Sequence, residues 1–225
     1  MFSVRQPFPL LVAARRHFSD VDFESLLRAC VMISFRYNVI GNQPTSEQER
    51  TYNAVAEKVS KDKCTAAQAI KALSVIYPPD PIFKAAFVEK VVKTTQSRNR
   101  RVVRYILCAL EKTLTGTDLD FDSESFNIEH VLPQSPESGW DAFTEEEIDA
   151  LAYRLGNMTL LHSGVNKDLG NVDWPRKKPI YAASSFGVTK KIAEENADWN
   201  PERLAARQQW MANQAVSIWR VAQLS

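Results

Sequence analysis

No stretch of this chain approaches the roughly 20 consecutive apolar residues that would cross a bilayer, so no membrane partner is expected. A secretory leader is also a poor match. The apolar patch Phe8 to Ala14 is interrupted by Pro9 and has Arg15 and Arg16 after it, whereas a leader carries its charges in front. Cysteine is scarce, odd in number and widely spaced: Cys30, Cys64 and Cys108. Each sits in an apolar, helix-like context, which predicts buried free thiols in a reducing compartment rather than a disulfide framework. No internal repeat or low-complexity tract is visible, and the formal net charge is only +1. What remains is a chain of 225 residues, 44% hydrophobic and 24% charged, long enough to bury one large core or two small ones.

The small net charge hides an asymmetry. Residues 1–117 carry 18 Lys and Arg against 10 Asp and Glu, or +8; residues 118–225 carry 10 against 17, or −7. Two modules with different work are one reading, the basic one supplying attraction for phosphate; ordinary solvated surfaces are the other.

The first module reads as helical. Apolar positions from Phe23 to Ile40 show no strand-like alternation, with Asp20 or Asp22 to cap the start and Gly41 to stop it. Thr45-Ser46-Glu47-Gln48 opens a helix to about Val59, and Thr65 to Ile76 makes another, ended by Tyr77-Pro78-Pro79. Asp80-Pro81 opens a helix through Val91, and Val102 to Leu114 closes a bundle of about five. Thr115 to Glu124 is the best linker candidate. His17 falls in a second predicted linker. Beyond residue 118 short strands are predicted at Phe126 to Val131 and Asn157 to Leu161, the first stopped by Pro133. Helices are predicted from Thr144 to Leu155, from Trp174 to Tyr181, and from Pro201 onward, the last with a stripe of Leu204, Trp210, Ala215, Ile218 and Trp219.

The chemistry concentrates in Ile128-Glu129-His130-Val131-Leu132-Pro133-Gln134, followed by Gly156-Asn157-Met158-Thr159 and Asn166-Lys167. Phosphodiester hydrolysis needs an activated water, neutralised charge on the phosphate, and help for the leaving oxygen. A neutral histidine suits proton abstraction near pH 7, and His130 fits that role. A hard ion such as Mg²⁺ takes oxygen ligands, one or two of them from protein; Glu129 offers a carboxylate and Asn166 an amide oxygen. Neighbouring strand residues face opposite sides, so Glu129 and His130 need the strand to end beside them.

In order and spacing these residues resemble an HNH, or ββα-metal, endonuclease core: acid-His, a variable loop, Asn, then Asn nine residues later with Lys next to it. More closely, the chain is similar to the C-terminal region of GmrSD-type and SspE-like type IV restriction endonucleases, strongest over residues 126–210. The words continue as Asn166-Lys167-Asp168-Leu169-Gly170-Asn171, then Lys177-Lys178-Pro179-Ile180-Tyr181, Trp199 and Arg207. The first half carries Phe35-Arg36-Tyr37-Asn38-Val39 and Arg104-Tyr105-Ile106-Leu107 of the same resemblance.

The resemblance implies a mainly α protein: a helical bundle over 1–117, then a nuclease domain over 118–225 built on a ββα-metal core embedded in helices. It implies a metal-dependent DNA endonuclease, nicking or cutting, in prokaryotic cytoplasmic defence against foreign or modified DNA. His130 and Asn157 are then catalytic, the first as base and the second as a brace of the loop. Glu129 and Asn166 hold one Mg²⁺ or Mn²⁺, with Asn171 competing for the second place. Glu replaces the commoner Asp before the histidine, and Asn166 replaces the commoner third histidine. His162 and Val165 stand where many HNH proteins place zinc-binding cysteines, so no structural zinc is expected. Lys167, Arg176, Lys177 and the cluster Arg100, Arg101, Arg104 are candidates for DNA phosphate, or for plain surface solvation; Arg100 and Arg104 share a helix face. Trp210 and Trp219 read as core, and Trp140, in the loop between the two halves of the motif, as a candidate DNA contact. An NTPase-like sensor domain is an expected partner, its Asp-Gly-Gln-Gln-Arg motif being absent from this sequence. One such site cuts one strand, which leaves a homo-oligomer open. RNA cleavage, and a non-catalytic DNA-binding or regulatory module on the same fold, are the alternatives.

Overall fold

Helix signals account for most of the chain. The computed structural model describes residues 4–62 and 64–224; residues 1–3, 63 and 225 lie outside it. In chain order the helices are α1 (Phe8–His17), α2 (Asp20–Ser34), α3 (Thr45–Asp62), α4 (Ala66–Ala72), α5 (Asp80–Val88) and α6 (Ser97–Thr115). Strand β1 (Phe126–His130) follows, then α7 (Glu145–Leu151), β2 (Met158–His162), α8 (Ser163–Leu169), α9 (Trp174–Ala182), α10 (Gly187–Glu195) and α11 (Pro201–Ile218). The architecture is mainly α, with a single two-stranded sheet among the described residues.

Several boundaries differ from the sequence expectation. Helix α2 is capped by Ser19, whose side chain accepts from Asp22 N–H; Asp20 and Asp22 lie inside the helix, where their charge suits its first turn. It runs on into six π-helical residues, Phe35–Ile40, before Gly41. Residues 8–17 form a helix, so His17 is its last residue and not part of a linker. Helices α8 and α10 were not foreseen: α8 is short, and α10 opens on Gly187. Its first N–H groups are received by a carboxylate from elsewhere, Glu111 of α6, at 2.9 and 2.8 Å. Cys30 and Cys108 are buried free thiols, whereas Cys64 is only half-buried. No helix among the described residues is long and apolar enough to cross a membrane.

The described chain divides into two compact units. One comprises residues up to Phe87 together with Trp219 onward. Its core gathers Leu10, Leu26, Ile33, Tyr52, Val59, Ile70 and Leu73 from α1 to α4 and the turn after α4. Each such side chain, fully buried, contributes about 1.5–3 kcal/mol. Arg36 is fully buried there, donating to Trp219 O at 2.6 Å, Pro78 O at 3.0 Å and Asp80 Oδ1 at 2.6 Å.

The other unit is Val88–Ile218, and the change of charge at residues 117 and 118 lies inside it. Its core is Val131, Leu132, Trp140, Phe143, Leu161, Trp174, Tyr181, Ile192, Trp199 and Leu204. Trp140 is therefore a core residue, while Trp210 is half-buried with Lys191 Nζ 5.3 Å over its ring. Strands β1 and β2 pair antiparallel, with Glu129 opposite Thr159 and His130 opposite Met158. Helices α6, α8 and α10 pack on this hairpin. Helix α11 buries Arg207 and Gln208 along with its apolar residues. Arg207 donates to Gly156 O and Met158 O at 2.7 and 2.8 Å, and Gln208 accepts from Gly156 N–H at 3.0 Å. The close approach requires glycine: a Cβ at residue 156 would lie 2.6 Å from Leu204 O.

Candidate active site

Strand β1 ends at His130, and this termination solves the problem of facing. Glu129 turns into the unit and His130 is half-buried, yet both line one cavity of about 340 Å³ together with Asn166, Gln134 and Lys177. Asn171 lines it as well. Asn157 is wholly buried and ties down the chain that leaves β1. Its Oδ1 accepts from Leu132 N–H at 2.8 Å, and its Nδ2 donates to Leu132 O at 2.8 Å and Ala152 O at 3.1 Å. Its backbone carbonyl accepts from Val131 N–H at 2.9 Å. A loop fixed by three hydrogen bonds to one residue, itself tied to Ala152, has little freedom at its His130 end.

The His130 ring is bracketed. Its Nε2 lies 3.4 Å from Thr94 Oγ1 and 3.3 Å from Gln134 Nε2, and its ring meets that of Tyr153 edge-on at 5.9 Å. Tyr153 in turn donates its hydroxyl to Gln134 Oε1 at 2.9 Å, which aims the amide nitrogen at the imidazole. Burial, helped by the nearby Lys177 charge, pushes His130 down to about 4. Its neutral form, with one ring nitrogen carrying a lone pair, therefore prevails at neutral pH.

Glu129 is held from behind by α9. Its Oε1 accepts from Lys177 Nζ at 2.6 Å and from Tyr181 hydroxyl at 2.8 Å. Lys177 Nζ also donates to His130 O at 2.7 Å. Lys177 and Tyr181 stand one turn apart on α9, which Asp173 caps, so one helix face grips the carboxylate. Burial lowers the Lys177 pKa, an effect opposed by Glu129; burial raises Tyr181 well above its usual range, and Glu129 adds to that. Asn166, on α8, donates from Nδ2 to Ile128 O at 3.1 Å and so is anchored to β1.

A larger cavity, about 660 Å³, adjoins the first at the strand end. It is lined by Arg100, Arg101, Arg104, Lys167, Asn127 and Thr94 among others, and it shares His130, Gln134, Ile128 and Asn166 with the smaller one. The arginines are not equivalent. Arg104 gives its guanidinium to the carbonyls of Phe121, Ser123 and Phe126 and lies over the Phe126 ring. Arg101 makes a two-pronged pair with Asp122 at 2.9 and 2.7 Å. Arg100 makes only long contacts of 3.4 and 3.5 Å to Thr94 O and Thr95 O, and Lys167 is exposed. Arg176 is exposed, 3.9 Å from Asp173, and lines neither cavity. Lys177 is buried against Glu129 instead of facing solvent.

The chain matches the family model of the GmrSD restriction endonuclease C-terminal domain over residues 77–214, more than half its length. The chain belongs to this family. No curated protein matched the sequence. The matched span contains the hairpin, both cavities and the helices α6 to α10. Membership makes the protein a restriction-endonuclease-type nuclease domain with DNA as its substrate.

Sequence reasoning had not assigned a role to four of these residues: Thr94, Gln134, Tyr153 and Tyr181. Gln134 and Tyr181 stood inside quoted words. Thr94 and Tyr153 carried no local signal, because they reach His130 only through the fold.

Among the described residues no group of three or more His, Cys, Asp and Glu gathers. One carboxylate, one amide oxygen and an open cavity suit Mg²⁺ or Mn²⁺, which keep several waters.

Proposed function

We propose that residues 88–218 form a ββα-metal nuclease centre of the HNH kind, with β1, β2 and α8 as its core and His130 as general base. The observation that carries this reading is that His130 and Asn166 line both cavities, the basic one and the one holding Glu129. A DNA strand lies in the basic cavity, its phosphates facing Arg100, Lys167 and, in competition with Asp122, Arg101. Neutral His130 takes the proton of the attacking water, and Asn157 keeps its loop rigid during that transfer. Glu129 and Asn166 would hold one Mg²⁺ or Mn²⁺, which when bound supplies positive charge beside the phosphate and the leaving oxygen. The biological setting is prokaryotic defence in the cytoplasm, with an NTPase-like sensor domain as partner that selects foreign or modified DNA. Double-strand cutting then requires a second site from a homo-oligomer.

A second reading has one specific observation in its favour. The Glu129 carboxylate is already neutralised by Lys177 at 2.6 Å, as it would be in a DNA-binding module that has kept the fold without the chemistry. Relaxation of supercoiled plasmid by the purified chain with Mg²⁺ or Mn²⁺, against an EDTA control, decides between them. Conversion to open-circle or linear DNA only with metal is expected; binding without cleavage on modified and unmodified plasmid would support the alternative. RNA offered in parallel should remain intact.

A further inference from the structure

Lys177 touches both halves of the Glu129-His130 dipeptide, the carboxylate of one and the carbonyl of the other. We propose that Lys177 is a resident counter-ion of Glu129, a positioning residue that competes with the divalent cation for this carboxylate and so sets the metal concentration at which the site fills. The inference rests on the reading that Glu129 is a metal ligand.

Three observations carry it. The pair is buried, with side chains 1% and 6% exposed for Lys177 and Glu129, so solvent and salt screen it little. Oxygen Oε1 already accepts two hydrogen bonds, from the ammonium and from Tyr181, so a cation approaching this oxygen must displace a donor. The ammonium is also anchored to His130 O, so it cannot swing away without giving up a second hydrogen bond, one to the strand end. In the cation-free protein this arrangement is stabilising, because a buried carboxylate without a partner is strongly unfavourable. Once a divalent ion arrives the same positive charge repels it. One residue therefore stabilises the metal-free fold and weakens the metal site.

The test compares Mn²⁺ binding to the full chain by calorimetry, with bound ion counted by electron paramagnetic resonance, and thermal midpoints with and without Mn²⁺. Lys177→Met should bind Mn²⁺ at least about ten-fold more tightly than the wild type, or about 1.4 kcal/mol. Its midpoint should be lower without Mn²⁺ and should gain more from Mn²⁺ than the wild type gains. Lys177→Arg, which keeps the charge, should stay near the wild-type affinity. The double variant Glu129→Gln with Lys177→Met should fold and lose the site, which locates the ion at Glu129. Equal or weaker binding by Lys177→Met, beside a wild type that binds, overturns the inference and leaves the metal reading standing. If neither binds Mn²⁺ at millimolar concentration, the metal reading falls and the inference with it. If Lys177→Met folds only when refolded with Mn²⁺, the competition is supported; failure to recover with Mn²⁺ while the double variant folds overturns it.

Discussion

Both compact units are built from amphipathic helices, yet they bury different side chains. In residues 4–87 with 219–224 the buried polar groups are few: Ser34, Arg36 and Gln48. In residues 88–218 they include Glu111, Glu129, Asn157, Thr159, Lys177 and Arg207, nearly all within one or two contacts of the hairpin. A buried polar group is costly unless its hydrogen bonds are met, and here most are met by backbone carbonyls, amides and one another, while Arg207 keeps one buried nitrogen, Nη2, without a hydrogen-bond partner among the described residues. The first unit is stabilised chiefly by apolar packing around a single buried arginine. The second holds two strand ends and a loop in a fixed geometry, and its polar interior is the means.

That contrast can be broken by substitution. The largest expected effect on stability is at Asn157. Replacing it with alanine leaves Leu132 N–H, Leu132 O and Ala152 O without their partner, and should cost about 2–5 kcal/mol in urea unfolding. A loss below about 1 kcal/mol would mean that the loop does not depend on this brace. Arg36→Met should come next, at about 2–3 kcal/mol, since the carbonyls of Trp219 and Pro78 lose a donor. DNA cleavage per folded molecule should then be unchanged; a matching loss of cleavage would erase the distinction drawn between the units. The smallest effect is expected at Lys167. Its change to alanine should leave unfolding unaltered, weaken DNA binding a few-fold, and reduce the salt slope of log affinity by about 1.

Much of the fold was legible because its signals are local. Thr144 announces a capping box that forms with Glu147, and Gly116 ends α6 in the left-handed conformation. The hairpin strands were each placed within a residue of where they lie, because Pro133 and Gly156 punctuate them. What escaped depends on distant partners. Helix α10 begins at a glycine whose cap is Glu111, 76 positions away. The sequence suggested Lys177 as a surface cation; the fold buries it against a carboxylate 48 positions earlier. The Arg100, Arg101 and Arg104 cluster looked uniform, and only tertiary contacts separate the arginine bound to three carbonyls from the one with long contacts alone. Residue identities at the strand end could be read from the sequence; the polar shell that holds them could not.

The account stands most directly on His130, and one comparison tests it: supercoiled plasmid incubated with Mg²⁺ and either the wild-type chain or His130→Ala, with circular dichroism and the thermal midpoint recorded for both. A variant that keeps its helix content and midpoint but cleaves at least about 100-fold more slowly is the predicted result. A folded variant that still relaxes the plasmid at a rate close to wild type would contradict it.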